Sequence, residues 1–254
     1  MKNEALILSW RHEEQIAHIH GWDFSHIQDR YAEEDDLPWD YRQVIETCLT
    51  KEARLLDLDT GGGEFLLSLD HPRRQMAATE EYPPNVALCR ERLLPLGVDF
   101  RPASAMGPLP FPAESFDMVI NRHADLCPQE ISRVLKKGGV FVTQQVGAEN
   151  DRALVELLLQ PAPPIPFPNN RLKPVAEKFE RAGFEILRGE EAFRPIRFWD
   201  VGALVWFARV IPWEFPGFSV DACLDRLLLA QQMLERDGVI SGAIHRFLLA
   251  ARKK

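Results

Sequence analysis

The chain has 254 residues, of which 46% are hydrophobic, and a formal net charge of -8 at pH 7. This length can bury a sizeable core, and one large α/β domain with additions fits it better than two independent domains. The negative charge disfavours a nucleic-acid partner, because proteins that bind the phosphate backbone usually present a basic surface. We therefore expect a small-molecule ligand, and the oligomeric state stays open.

The N-terminal stretch, the longest apolar segment and the cysteines indicate where in the cell the protein is expected. The stretch MKNEALILSWRHEEQ holds an apolar run only from Ala5 to Leu8, which is too short for a signal peptide. The apolar segment 201–211 is interrupted by Arg209 and falls short of the roughly 20 residues of a membrane span. The four cysteines include no C-x-x-C pair, which argues against a zinc site. We expect a cytoplasmic protein without membrane association or bound metal.

In chain order, residues 1–50 are predicted to form helices and polar loops rich in aromatic side chains, a lid segment before the main domain at 51–254. The pattern changes with ARLLDLDTGGGEFLLSL, where a short apolar run, a glycine cluster and a second apolar run follow one another. This order predicts a strand, a tight turn and a helix. The next elements predicted are the strand RQMAATE, the helix PNVALCRERLLPLG and the weaker strand VDFRPAS.

The second half of the domain continues the alternation. FDMVINRH predicts a buried strand, EISRVLKKGG an amphipathic helix that ends at Gly138 and Gly139, and GVFVTQQV the next strand. FEILRGEEAF and AIHRFLLAARK predict two late strands, with a helical cap inserted between them at about 194–238. The fold class predicted is α/β: a doubly wound, mostly parallel sheet of seven strands with helices on both faces.

The turn after the first strand is the best candidate for a ligand site, because ligands of such sheets bind beyond the carboxyl ends of the strands. Glycines there let backbone amides approach a ligand closely. The spacing differs from the dinucleotide G-x-G-x-x-G, which makes a nicotinamide enzyme a distant alternative, and Glu64 would oppose a pyrophosphate. The turn contributes Asp57, Asp59, Gly61, Gly62 and Gly63.

The stretch LLDLDTGGGEF resembles the first motif of class I methyltransferases, D-x-G-x-G-x-G, which use S-adenosyl-L-methionine. Asp57, Gly61 and Gly63 match this motif. The resemblance implies that the turn holds the amino acid portion of the cofactor, with Asp57 organising the loop or meeting the ammonium group. Asp59 stands where the family has its first glycine; aspartate tolerates a left-handed backbone better than most residues, but its carboxylate adds bulk and charge.

Further motifs of the same family follow in order over about residues 53–147. ATEEYPPN resembles the end of the second strand, where a carboxylate accepts hydrogen bonds from the ribose hydroxyls; Glu80 is the first candidate and Glu81 the second. PASAMGPLPFPAESFDMVINRH resembles the third and fourth motifs, with Ser104 in place of the acidic residue that meets the adenine amino group. The resemblance also implies that the Ala105 amide lies near the adenine and Asn121 near the reacting methyl.

Three short motifs resemble an uncharacterised bacterial subgroup of this family and imply no particular substrate. They are GWDFS at 21–25, PWDY at 38–41 and QQVG at 144–147.

Methyl transfer from a sulfonium is an in-line displacement, so that holding the reactants in position can supply much of the catalysis. If a base is needed, His123 is the candidate, and Arg122 could orient an acidic acceptor; both residues could equally serve local contacts. One of Gln144 and Gln145 is expected to face the site. The aromatic residues are predicted to be mostly core rather than a cap over the acceptor. The histidines His12, His18, His20 and His26 lack the Asp or Cys that would complete a metal-site spacing, and one face of a solvated helix explains the first three.

The sequence thus predicts methyl transfer from S-adenosylmethionine to a small molecule. Two alternatives stay open. Asp59 and Ser104 depart from the motif, which raises the possibility of a non-catalytic protein with this fold, and the breadth of the superfamily leaves RNA methylation as another.

Overall fold

A computed structural model describes residues 2–19, 23–34 and 36–254. His20, and with it Gly21 and Trp22 of the GWDFS motif, lie outside these residues. The chain divides into two compact units. The first unit comprises Met1–Leu37, Ala148–Pro168 and Phe193–His245, and the second comprises Pro38–Gly147, Asn169–Ala192 and Arg246–Lys254. The predicted division into a segment 1–50 and a domain 51–254 stays a prediction.

The second unit is built on parallel strands. They are β2 (Leu55–Leu58), β3 (Met76–Glu80), β4 (Asp99–Pro102), β5 (Phe116–Arg122) and β6 (Leu135–Val146). β2 pairs in parallel with β3 and β5, and the outer pairs β3–β4 and β5–β6 are also parallel. Every residue of β2 and β3 is buried. Continuous apolar strands of this kind are typical of a parallel sheet that is covered on both faces.

Short helices connect these strands. They are α2 (Tyr41–Cys48), α3 (Glu64–Ser68), α4 (Pro83–Arg92), α5 (Pro128–Val134) and α7 (Leu172–Arg181). One core cluster of this unit combines sheet residues with apolar residues of α5 and α7, and Phe141 of β6 stacks on Phe179 of α7 with ring centroids 4.7 Å apart. The amphipathic pattern of α7 explains this packing, because its apolar residues recur on one face.

The first unit has a separate core around an apolar helix. Its helices are α1 (Lys2–Ile16), α6 (Arg152–Leu158), α8 (Val201–Val210) and α9 (Leu224–Asp237). Nine of the ten residues of α8 are buried. Asp200 begins this helix by accepting hydrogen bonds from the backbone N–H groups of Gly202 and Ala203. Helices α8 and α9 occupy the insertion that the sequence predicted to be helical.

The strand count corrects the predicted fold. Within the described residues the sheet has eight strands in the order β1-β7-β8-β6-β5-β2-β3-β4, where β1 is Tyr31–Glu33, β7 is Phe184–Phe198 and β8 is Ile240–Lys253. β1 pairs antiparallel with β7, and β8 pairs antiparallel with β6. The prediction of seven strands missed β1, because three residues that pair with a distant strand have no periodicity of their own.

The helix before β6 is also shorter than predicted. It ends at Val134, and Leu135 already belongs to β6, where it pairs with Phe116. Gly138 therefore lies in the strand with a φ of 78° and does not end the helix. Among the described residues, no helix is both long and apolar enough to cross a membrane.

Candidate active site

The carboxyl ends of β2, β3 and β5 gather the predicted site residues of the second unit at one edge of the sheet. Asp57 pairs in register with Ala78 of β3 and Ile120 of β5, and Leu58 pairs with Asn121. Parallel strands place their carboxyl ends side by side. The turn after β2 therefore lies next to the last residues of β3 and β5.

The turn itself, residues 57–63, is called the glycine loop below. Its backbone takes positive φ at Asp59, Gly61 and Gly63, with values of 53°, 64° and 81°. A Cβ added at Gly63 would lie 2.7 Å from Cδ2 of Leu93, so close packing requires glycine there. A Cβ added at Gly61 would meet nothing within 4 Å, so this glycine borders open space. Gly62 is confined instead by the Glu64 carboxylate.

Asp57 is buried at the start of the loop. Its Oδ2 accepts a hydrogen bond of 2.6 Å from the Thr60 hydroxyl. Burial raises the pKa of the Asp57 carboxyl to about 7, while the Thr60 hydrogen bond and the positive charge of Arg122 act in the opposite direction. Near neutral pH this group is thus poised between its two charge states, and a cation placed beside it would favour the ionised form.

Glu80, at the end of β3, supports the glycine loop. Oε2 accepts a bond of 2.8 Å from the Gly61 N–H, and Oε1 accepts bonds of 2.9 Å from the N–H groups of Glu81 and Tyr82. A longer contact of 3.4 Å joins Oε2 to Nδ2 of Asn85. The carboxylate is buried and shapes the loop, whereas Glu81 is exposed. Ribose binding by either residue stays a prediction.

Asp59 points its carboxylate toward the end of β4. Burial, together with the negative charges of Glu80 and Glu81, raises the pKa of Asp59 to about 7, while the nearby backbone N–H of Ala105 acts in the opposite direction. Within the part of the chain that the structure describes, the Oδ1 atom of Asp59 is buried without a hydrogen-bond partner. The Ala105 amide thus lies close to Asp59, and its contact with the adenine stays a prediction.

Ser104 and Asn121 have local roles in the structure. The Ser104 hydroxyl accepts a bond of 3.3 Å from the Met106 N–H. The Asn121 side chain is fully buried: its Nδ2 donates to the Leu58 carbonyl at 3.1 Å, and its Oδ1 accepts from Nε2 of Gln145 at 2.7 Å. Asn121 therefore links β2, β5 and β6, and contact of either residue with a cofactor stays a prediction.

Arg122 follows Asn121 and is exposed, as strand alternation requires. Its guanidinium lies 5.0 Å from the ring centroid of Phe65, a cation–π contact that orients it. Tyr41 packs against the same ring at 5.2 Å and donates its hydroxyl to the Asn121 carbonyl at 2.9 Å. Arg122 is thus held at the sheet edge by an aromatic ring.

His123 has an unusual backbone and a defined hydrogen bond. Its φ is 61°, and its N–H donates to the Gln144 carbonyl at 2.9 Å. Nε2 of His123 lies 3.3 Å from Nε2 of Gln144, and Oε1 of Gln144 accepts a bond of 2.8 Å from the Trp39 indole. Loss of solvation and the charges of Arg246 and Arg122 lower the pKa of His123, although part of the side chain is open to water. The direction means that the ring is neutral at pH 7.

Sequence reasoning gave no site role to three residues that contact the predicted site. Thr60 and Phe65 lie inside LLDLDTGGGEF and contact Asp57 and Arg122. Trp39 of the PWDY motif, predicted to be core like most of the aromatic residues, donates to Gln144. Gln144 and Gln145 lie on opposite faces of β6, with Gln145 buried, as the alternation predicted. The remaining aromatic candidates divide: Trp39 and Trp206 are buried, whereas Trp199 and Trp213 are about half exposed.

The arrangement agrees with the comparisons to known proteins. Residues 56–143 match the family model described as a methyltransferase domain, a span that runs from β2 into β6. No curated protein matches the sequence.

Three solved structures are similar to this chain. A Bacillus halodurans protein with a provisional methyltransferase name has a TM-score of 0.55 and 20% identity, covering 84% of this chain and 98% of that one. YcgJ from Bacillus subtilis has a TM-score of 0.52 and 19% identity, covering 84% and 97%. The [4+2]-cyclase SpnF has a TM-score of 0.50 and 21% identity, covering 88% and 86%. At these identities the likeness shows the fold, which is the Rossmann-like α/β fold of class I methyltransferases. The cyclase illustrates that one fold supports different chemistry.

Proposed function

We propose that this protein transfers the methyl group of S-adenosyl-L-methionine to a small-molecule acceptor. The observation that carries the proposal is the glycine loop, which turns at the carboxyl end of β2 with open space beside Gly61. The loop lies inside the segment that matches the methyltransferase domain model.

The charges around the loop fit such a cofactor. S-adenosylmethionine carries a sulfonium and an ammonium group, and Asp57, Asp59 and Glu80 surround the loop with carboxylates. The pKa values of Asp57 and Asp59 are raised mainly by burial, and the charge of Arg122 offsets this only in part at Asp57. A cationic ligand would offset the effect of burial further.

In this proposal, different residues of the chain bind the cofactor and the acceptor. Asp57 would meet the ammonium group, the glycine loop would hold the methionine portion, and Glu80 would support the loop at the ribose. The cofactor, when bound, supplies an electrophilic methyl group. Arg122 and His123, at the end of the neighbouring strand, would position the acceptor. Catalysis by position needs the two reactants close and water excluded, and requires no dedicated base.

Isothermal titration calorimetry with S-adenosylhomocysteine tests the proposal directly. We expect saturable binding with one site per chain, and binding of S-adenosylmethionine at the same site in competition. Radioactive methyl transfer to pooled small metabolites would follow, with boiled protein as the control. Absence of binding by both compounds would remove the proposal.

A non-catalytic protein with the same fold is the second candidate, because the Asp59 carboxylate enters the loop and leaves one oxygen without a partner among the described residues. Substituting Asp59→Gly separates the two candidates. If the native loop is impaired, the variant binds S-adenosylhomocysteine tenfold or more tightly than the wild type, by the order of one charge-assisted contact. If the loop is competent, affinity stays within about threefold.

A further inference from the structure

The hydrogen bonds of Gln144 fix the protonation of His123. An indole N–H can only donate, so the Gln144 atom that faces Trp39 at 2.8 Å must be the amide oxygen. The amide nitrogen then faces His123 Nε2 at 3.3 Å. An amide nitrogen can only donate, and so Nε2 of His123 must be the unprotonated acceptor.

A neutral imidazole that is unprotonated at Nε2 carries its proton on Nδ1. Loss of solvation, and after it the positive charges of Arg246 and Arg122, keep the ring neutral by lowering the pKa of His123. The basic nitrogen is thus occupied by Gln144, and the nitrogen left over is a hydrogen-bond donor. This geometry suits binding of an acceptor atom better than removal of a proton from a substrate.

The backbone of His123 has an unfavourable conformation that the surrounding contacts must stabilise. A φ of 61° lies in the left-handed region, which is unfavourable for a non-glycine residue. Gln144 binds this residue twice, through its carbonyl to the His123 N–H and through its side chain to the ring. Trp39, which is 6% exposed, anchors Gln144 from the other side.

Arg122 supplies the second donor. Its guanidinium lies over Phe65, and within residues 2–19, 23–34 and 36–254 no carboxylate pairs with it. The neighbouring Arg42 contacts the same ring at 5.4 Å, but it is bound by Glu46 and Ser68. An exposed arginine that makes no close ion pair among the described residues, and senses the Asp57 charge only at longer range, can pair with an anionic oxygen group next to a neutral histidine donor.

We propose that the acceptor molecule carries a carboxylate, which His123 binds as a donor through Nδ1–H beside the guanidinium of Arg122. Gln144 and Trp39 are positioning residues that hold this tautomer. The inference rests on the proposed function for the identity of the bound molecule as a methyl acceptor. It also gives His123 a different role from the general base suggested by the sequence.

The tautomer is tested by long-range proton–nitrogen NMR on protein labelled with ¹⁵N-histidine. The wild type is expected to show His123 protonated at Nδ1. In Gln144→Glu, the carboxylate accepts from both Trp39 and His123, so Nε2 becomes protonated. In Trp39→Phe, the amide is free to rotate and both tautomers are populated. A wild-type ring protonated at Nε2 would overturn the proposal.

The carboxylate is tested with benzoate and benzamide as matched probes of the full-length protein, with and without S-adenosylhomocysteine. Benzoate is expected to bind about tenfold more tightly, with shifts at His123 Nδ1–H. Arg122→Met should abolish this preference, whereas Arg42→Met, which removes a cation from the same Phe65 ring, should retain it. Equal binding, no benzoate-dependent shift at His123, a preference that survives Arg122→Met, or tighter binding of inorganic phosphate would each overturn the proposal.

The failure of the two proposals can be told apart. Absence of S-adenosylhomocysteine binding removes the methyltransferase proposal alone, because the tautomer and the benzoate preference can both be measured without the nucleoside. Binding of S-adenosylhomocysteine without a benzoate preference removes the carboxylate proposal alone.

Discussion

The glycine loop and the end of β5 are neighbours at one edge of the sheet, yet their chemistry is opposite. The loop gathers carboxylates, and two of them, Asp57 and Asp59, have pKa values raised to about 7. The end of β5 presents the exposed guanidinium of Arg122 and the neutral ring of His123. The carboxylates of the loop suit a cationic ligand, whereas the end of β5 carries hydrogen-bond donors that suit an anionic one. The proposed methyl transfer from a cationic cofactor to an anionic acceptor would use both regions.

The two regions also differ in how they are held. The glycine loop is shaped by its own backbone and by Glu80, through hydrogen bonds to nearby N–H groups. The end of β5 is held from distant parts of the chain, by Trp39 through Gln144 and by Tyr41 through the Asn121 carbonyl. The loop is thus a local structure, whereas the donor pair depends on tertiary contacts.

The largest expected effect concerns the interior of β5. Asn121→Ala would remove the side-chain donor to the Leu58 carbonyl and one acceptor of the Gln145 amide in a buried place, and we expect a loss of about 2 kcal/mol in the free energy of unfolding. Arg122→Met, one residue further and exposed, should change it by no more than about 0.5 kcal/mol. Urea unfolding of both variants measures the contrast. If the two variants had the same free energy of unfolding, the buried Asn121 side chain would not stabilise the sheet more than the exposed Arg122 does.

The next effect tests whether a ligand fills the space beside the glycine loop. Gly61→Ala and Gly138→Ala both add a methyl group at positive φ into open space, so each should cost about 1 kcal/mol of stability. Gly138 lies near the start of β6, far from the carboxyl ends of the strands. Only Gly61→Ala should weaken S-adenosylhomocysteine binding, by roughly 10- to 100-fold in calorimetry. The same affinity in both variants would place the ligand elsewhere.

The third effect is the pH dependence of cofactor binding. The carboxyls of Asp57 and Asp59 take up protons as the pH falls through about 7, and their attraction for the ligand's ammonium group is then lost. The affinity for S-adenosylhomocysteine should fall about tenfold from pH 8 to pH 6. Asp57→Asn should flatten this profile. A wild-type affinity that is constant over this range would mean that neither carboxylate meets the cation.

The smallest effect concerns stability without ligand. The pKa of Asp59 is raised on folding, so its favourable contribution is present below the unfolded pKa of 3.8 and is lost as the pH rises through about 7. Asp59→Asn removes this loss and keeps a residue that tolerates positive φ. We expect the variant to be more stable at pH 8 by about 1 kcal/mol, after allowance for partial access of water, and similar to the wild type at pH 4. Thermal unfolding at both pH values gives the answer, and a variant less stable at pH 8 would contradict it.

Local pattern was sufficient to predict much of the second unit. The apolar run 55–58 followed by glycines predicted the strand, turn and helix, and the structure has β2, the glycine loop and α3 there. The insertion between the two late strands was predicted to be helical and contains α8 and α9. In each case the signal lies within a few neighbouring residues.

Contacts between distant residues could not be predicted in the same way. Trp39 and Gln144 are 105 residues apart, and strand β1 exists only through its pairing with β7. The rotation of the Gln144 amide, and with it the tautomer of His123, depends on that long-range contact. The sequence identified His123 as a candidate by its position after a strand, but it could not show which ring nitrogen carries the proton.

The alternation along β5 has an evolutionary consequence. Asn121 turns inward and joins three strands, while its neighbour Arg122 turns outward and lies over the Phe65 ring of α3. Selection for a new acceptor could therefore exchange the outward residue freely while the inward one stays constant. Libraries randomised at positions 122 and 123, with 121 left alone, offer a route to altered substrate choice on an intact scaffold.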